Sequence, residues 1–259
     1  MSGKIPRGRF VWYELMTTDP EAARRFYPEI VGWSTQPWEE DAAYVMWMNG
    51  ESPVGGLMAL PEEVEAMGVP PNWLAYVAVP DVDATAKRAT ELGGKLLREP
   101  EDIPTIGRFA VVADPQGAVL CAFQPGGEGA GRPEGPPAIG EFSWHELATT
   151  DHEAAFAFYS DLFGWKKGEA MDMGEMGVYQ LYGRGDLPLG GMFNRTEDMP
   201  GPPAWLYYVR VESVDDAAER VKRMGGKILN GPMDVPGGDR IVQCMDPQGA
   251  AFALHQAAG

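Results

Sequence analysis

The chain has 259 residues with 44% hydrophobic side chains, enough for one large packed domain or two small ones. The formal net charge of −17 repels phosphate backbones, and no Lys/Arg cluster offsets it, so nucleic acid is excluded as a partner. No stretch approaches the roughly 18 consecutive apolar residues of a membrane span, which excludes a membrane-embedded class, and the acidity reads as a solubility device.

The first element in chain order is a strand over Phe10 to Met16, aromatic and apolar. Asp19-Pro20-Glu21 then opens a helix: Asp19 caps it, Pro20 suits its first turn and Glu21 complements the dipole. Ala22, Ala23, Phe26 and Ile30 recur at helical spacing, and Gly32 ends the helix. Tyr44 to Asn49 and Val54 to Leu60 read as strands joined by a turn at Gly50-Glu51-Ser52-Pro53. Leu74 to Val79 is the next strand. A helix face of Val82, Ala86, Ala89 and Leu92 follows, stopped by Gly93-Gly94. Strands at Lys95 to Leu97, Arg108 to Ala113 and Ala118 to Phe123 complete the series, the last two joined by a tight turn at Asp114-Pro115-Gln116-Gly117.

The series then repeats. Trp12-Tyr13-Glu14-Leu15 recurs as Trp144-His145-Glu146-Leu147, an offset of 144 − 12 = 132. The same offset relates Thr17-Thr18-Asp19 to Thr149-Thr150-Asp151, Phe26-Tyr27 to Phe158-Tyr159, and Gly32-Trp33 to Gly164-Trp165. It also relates Gly93-Gly94-Lys95 to Gly225-Gly226-Lys227 and Asp114-Pro115-Gln116-Gly117 to Asp246-Pro247-Gln248-Gly249. One local slip, Gly55-Gly56 against Gly190-Gly191, falls in a hairpin region where insertions cost little. The second copy's matching elements are Phe142 to Ala148, Ala154 to Leu162, Leu206 to Val211 and Val214 to Met224. The reading is two domains, 8–125 and 140–256, joined by a Gly/Pro-rich linker over 126–139.

This order and these motifs resemble the vicinal oxygen chelate superfamily, which includes glyoxalase I, bleomycin-resistance proteins and extradiol dioxygenases. The likeness is greatest to two-domain glyoxalase-like proteins of actinobacteria and mycobacteria. The resemblance implies an α+β fold in which each domain joins two βαβββ modules into a curved mixed sheet around a cleft. It does not specify a reaction, because this fold hosts several chemistries.

In metal-using members, the resemblance places ligands on the first and last strands of each module. Those places here hold Trp12, Leu74 and Cys121 in the first copy, and Trp144, Leu206 and Ala253 in the second. The fourth place, around Gly55 to Met58 or Gly190 to Phe193, is glycine and apolar. Trp, Leu, Ala and Gly cannot ligate a divalent metal, so neither metal nor other cofactor is expected. Cys121 reads as a small buried hydrophobe. With Cys244 in a non-equivalent place, no disulfide or zinc framework is indicated. Strand alternation turns His145 away from the cleft, although a one-residue shift of register would bring it in. His152 follows a helix cap and reads as exposed; His255, two residues past Ala253, reads as a rim residue.

What converges is a repeated set. Glu14 and Glu146 follow the tryptophans by two residues and share their strand face, and Arg108 matches Arg240. On one reading the glutamates are buried and hydrogen-bonded, holding the cleft wall. On the other, Trp12, Glu14 and Arg108, with Trp144, Glu146 and Arg240, bind a small organic molecule. Tyr44, Trp47, Tyr76, Tyr179, Tyr182 and Tyr208 are candidates for further aromatic lining. The expected function is metal-free small-molecule binding; the alternatives are a glyoxalase I-type lyase or dioxygenase-like enzyme, and a protein-interaction surface. The start, Met1-Ser2-Gly3-Lys4-Ile5-Pro6, has no apolar signal-peptide core, so a cytoplasmic location is expected, with pairing of chains into a homodimer left open.

Overall fold

The computed structural model describes residues 6–127 and 135–259. Of the expected linker, residues 128–134 lie outside the described residues. The first copy runs β1 (Phe10–Thr17), α1 (Pro20–Val31), β2 (Ser34–Trp38), β3 (Asp41–Asn49), β4 (Ser52–Ala59), α2 (Glu62–Ala66), β5 (Asn72–Ala78), α3 (Val82–Glu91), β6 (Lys95–Ile103), β7 (Gly107–Ala113) and β8 (Val119–Pro125). The second runs β9 (Phe142–Thr149), α4 (His152–Phe163), β10 (Lys166–Asp172), β11 (Val178–Arg184), β12 (Leu187–Asn194), β13 (Ala204–Arg210), α5 (Val214–Arg223), β14 (Lys227–Asp234), β15 (Arg240–Met245) and β16 (Ala251–Gln256). Strand β2 and the short helix α2 were not anticipated from the sequence. Both lack a buried periodic face, which is the signal that exposes an element to sequence reading.

The strands form two eight-stranded mixed sheets of one topology, β2-β3-β4-β1-β5-β8-β7-β6 and β10-β11-β12-β9-β13-β16-β15-β14. The strands β1 and β4 run parallel, as do β5 and β8, while the hairpins are antiparallel. This is the α+β arrangement of two βαβββ modules per copy that the family resemblance implied.

Local chemistry sets the helix ends. The Asp19 side chain accepts from the Ala22 amide, and Gly32 closes α1 with φ 78°. Asp151 and Gly164 do the same for α4. Asp81 caps α3, and Ser213 replaces it at the start of α5.

The chain divides into two compact units that interleave the copies. One comprises Met1–Val11, Ala75–Glu134 and His145–Trp205; the other comprises Trp12–Leu74, Gly135–Trp144 and Leu206–Gly259. Each unit therefore takes part of its core from each copy, and the repeated motifs knit it internally. In the second unit, Trp73 Nε1 donates to Tyr27 Oη, which donates to Asp246 Oδ2, both at 3.0 Å. Trp33 Nε1 donates to the Gly140 carbonyl at 2.7 Å, and Phe26 packs edge-on to Phe252. In the first unit, Trp205 Nε1 donates to Tyr159 Oη at 3.2 Å, and that hydroxyl reaches the Ala118 carbonyl. Trp165 Nε1 donates to the Gly8 carbonyl at 2.7 Å.

The paired glycines have a packing reason. A Cβ on Gly94 would sit 2.8 Å from the Phe158 ring, and one on Gly226 would sit 3.1 Å from Phe26, so α4 and α1 could not approach. Each aspartate of the Asp-Pro-x-Gly turns accepts three backbone N–H bonds through Oδ1, which makes these turns rigid.

Candidate ligand-binding site

Glu14 lies between Tyr13 and Leu15, and Leu15 is fully buried in the core. Strand alternation therefore turns Glu14, with Trp12, to the opposite sheet face. The carboxylate is nonetheless buried, at 8% exposure, and Glu146 matches it at 9%. Burying a carboxylate is costly without a hydrogen-bond donor, and tyrosine supplies one in each copy. Tyr179 Oη donates to Glu146 Oε2 at 2.9 Å. Tyr44 hydrogen-bonds Glu14, and Trp12 Nε1 donates to Tyr44 Oη at 2.8 Å. Burial, then the Glu14 charge, push the Tyr44 hydroxyl well above the usual phenol range, so it stays protonated and donates.

The backbone makes room for this pair. Glu14 is in register with Gly56 on β4, and Glu146 with Gly191 on β12. A Cβ on Gly56 would lie 1.9 Å from Tyr44 Oη, and one on Gly191 would lie 1.9 Å from the Tyr179 ring. These glycines are the floor on which the tyrosines lie. Trp12, Tyr44, Trp144 and Tyr179 are each half-buried.

The arginines are employed differently. Arg108 spans Asp83 on α3 and Asp102 on β6, at 2.8 and 2.9 Å. Arg240 repeats this with Asp215 on α5 and Asp234 on β14, at 2.9 and 2.7 Å. The carboxylates engage both guanidiniums and raise their pKa values. Arg108 also lines an open surface cavity of about 300 Å³ with Ile103, Pro104 and Gln124.

Four residues expected as lining are buried in the core instead. Trp47 is fully buried, with its ring against Tyr27 and Trp33; Tyr182 is buried against Trp165 and donates to the His145 carbonyl. Trp47 pairs with Gly55 and Met46 with Gly56, so alternation puts Trp47 on the face away from Tyr44. Tyr76 is buried against Phe109 and Phe123, and Tyr208 is buried and accepts from Gln243 Nε2 at 3.0 Å.

The histidines separate by environment. His145 faces the core as expected: its ring stacks on Phe10 at 3.7 Å, and Nδ1 meets the Leu189 carbonyl at 2.7 Å. Burial pulls its pKa down to about 4, so it is neutral and its Nδ1–H donates. His152 bonds Asn194 and is half-buried rather than exposed. His255 lies between Ser143 and Asp239, two residues that the sequence reading did not single out.

Two family models match. Residues 12–123 match one described as a glyoxalase-like domain, and residues 141–254 match the glyoxalase/bleomycin resistance protein/dioxygenase superfamily model. CFP32 of Mycobacterium tuberculosis, a glyoxylase by provisional assignment, is 32% identical over 94% of this chain and 92% of its own length. The anthracycline biosynthesis protein DnrV of Streptomyces peucetius is 28% identical over 95% of this chain and 92% of its own. Among solved structures, the Mn(II)-bound glyoxalase from Novosphingobium aromaticivorans superposes with a TM-score of 0.64 at 20% identity, covering 99% of this chain and 83% of that one. The 2,2',3-trihydroxybiphenyl 1,2-dioxygenase of Sphingomonas wittichii gives 0.66 at 14% identity, covering 98% and 91%.

A metal-bound neighbour raises the question of fit. Among the described residues, no group of three or more His, Cys, Asp or Glu side chains is placed to hold a metal ion. Leu74, Cys121 and Ala253 are buried apolar or thiol side chains, and Tyr44 and Tyr179 lie over Gly56 and Gly191. This donor set does not suit a divalent cation. Among the described residues, no helix is long and apolar enough to cross a membrane.

Proposed function

The chain belongs to the glyoxalase/bleomycin resistance protein/dioxygenase superfamily, and from that premise we propose that it binds a small aromatic molecule without a catalytic metal. The binding elements are Trp12, Tyr44 and Glu14 in the first copy, and Tyr179 and Glu146 in the second. The observation that carries the reading is the buried glutamate held by a tyrosine hydroxyl on a glycine floor, built twice. A carboxylate offers several acceptor positions, and a ligand hydroxyl or N–H can take one of them. The half-buried tryptophan offers an apolar face for the ligand's ring. The name of the Streptomyces relative supports an aromatic partner.

The test is thermal unfolding with hydroxylated aromatics such as catechol and 1,8-dihydroxyanthraquinone, after dialysis against chelator. Ligand at a hundred times its Kd stabilises by about 2.7 kcal/mol, a rise of roughly 5–10 °C for a chain of this size. The rise is expected in the wild type without added metal and absent from the double variant Glu14→Gln/Glu146→Gln. A rise that requires Mn(II), Zn(II) or Fe(II) sinks the metal-free reading. No rise with any member of the panel sinks the aromatic-ligand reading.

A further inference from the structure

The second copy carries a hydrogen-bonded chain that the first lacks. His255 on β16 lies between Ser143 on β9 and Asp239 in the turn before β15, all within one compact unit. Nδ1 is 2.9 Å from Ser143 Oγ, and Nε2 is 2.9 Å from Asp239 Oδ2. The 132-residue offset puts Val11, Phe123 and Gly107 at the corresponding places in the first copy. The same fold is therefore built there without these polar groups, and their presence in the second copy calls for another reason.

The chain is oriented for proton transfer. Asp239 Oδ1 accepts the Ala258 amide at 2.8 Å, which fixes the carboxylate from the other side. Burial pushes the Asp239 carboxyl up, but the Ala258 amide and His255 outweigh it and hold it below the usual range. An ionised Asp239 only accepts, so the proton sits on Nε2, and Nδ1 presents a lone pair to the Ser143 hydroxyl. The competing acceptor for that hydroxyl, the Tyr208 carbonyl, is farther away at 3.2 Å. His255 retains 16% exposure, and Ser143 is half-buried rather than sealed in the core.

We propose that Ser143 is a nucleophile, with His255 as its general base and Asp239 as a positioning residue, acting on small activated esters. This goes beyond ligand binding at the glutamate–tyrosine pairs and uses none of their residues. As Ser143 Oγ bonds the ester carbonyl carbon, its proton moves to His255 Nδ1. The carbon–oxygen bond to the leaving alcohol then breaks, and the proton passes from Nδ1 to that oxygen. Water repeats the sequence on the acyl-serine: it gives its proton to Nδ1, bonds the carbonyl carbon and releases the carboxylic acid, while Ser143 recovers its proton.

The test is p-nitrophenyl acetate on the full chain, followed by peptide mass spectrometry. The expected result is acetylation of Ser143 with a burst of about one p-nitrophenolate per chain, the kinetic mark of an acyl-enzyme. His255→Phe installs the side chain found at that place in the first copy, and slows acetylation about 10²-fold, as loss of a general base does. Asp239→Asn slows it as well. Wild-type protein acetylated only at lysines or other serines overturns the proposal, and needs no variant to be informative. So does a folded His255→Phe variant that acetylates Ser143 at the wild-type rate.

Discussion

The Tyr27 hydroxyl donates to Asp246 Oδ2 across 3.0 Å, joining α1 to a turn 219 residues later. The same hydroxyl accepts from Trp73 Nε1, so one oxygen serves two partners in the core. Tyr27→Phe leaves both buried partners short of a bond. A loss of about 2–3 kcal/mol is expected, read as a shift in urea midpoint at unchanged slope. A change within error would show that water replaces the hydroxyl and that the chain of bonds is not what holds this unit together.

His145 makes stability depend on pH. Its folded pKa is about 4, against 6.5 for a free side chain, because burial disfavours the charged ring. The unfolded chain binds the proton more readily, so this contribution is complete above pH 6.5 and is lost as pH falls towards 4. The loss amounts to about 3 kcal/mol. Asp114 and Asp246 have carboxyl pKa values raised by burial, so their contribution runs the other way and is lost as pH rises. The comparison of wild type with His145→Phe isolates the histidine. The variant is expected to be less stable at neutral pH, where the Leu189 carbonyl loses its donor, and to show a flatter profile between pH 6.5 and 4. Parallel profiles would show that the ring stays hydrated.

Gly56→Ala and Gly191→Ala test the glycine floor. The added methyl would meet Tyr44 or Tyr179 at 1.9 Å, so the ring must move off its glutamate. Overpacking of this kind costs about 1–3 kcal/mol. Calorimetric titration with the ligand found in the melting screen should show binding at that copy weakened at least about tenfold, the equivalent of 1.4 kcal/mol. Unchanged affinity at both copies would move the binding site elsewhere.

Residues 8–125 made alone contain one copy but not one compact unit. The core around α1 would lack Asp246 and Phe252, and the core around α3 would lack Phe158 and Tyr159. As a monomer at low concentration, this half is expected to melt without a cooperative transition. A sharp monomeric melt would show that a copy folds independently.

Much of this was legible in the sequence. The repeated Asp, Gly and Trp positions located the helices and the two sheets because caps, stops and buried rings leave local signatures. The face of Glu14 and His145 followed from strand alternation. The glutamate–tyrosine pairing was hidden by the same hairpin slip that shifts Gly55: Tyr44 matches Tyr179 at an offset of 135, not 132. Trp47, Tyr76, Tyr182 and Tyr208 were grouped with the lining because aromatic residues in strands look alike until the register is known. The interleaving of the copies leaves no local trace at all, since Tyr27 and Asp246 carry no mark of each other. Ser143 and Asp239 were missed because no equivalent in the first copy drew attention to them.

That interleaving also sets a timetable for biosynthesis. The unit built around Trp12–Leu74 is completed only by Leu206–Gly259, so the ribosome must make the intervening segment before this core can close. At about 5–20 residues per second, the first segment waits roughly 9–37 s until its partner is complete, with its half of the core unmet. Phe26, Tyr27 and Ile30, all buried in the finished protein, are then available to whatever holds nascent chains. Slowed translation of the second copy would lengthen that exposure and lower the yield of folded protein without changing a residue.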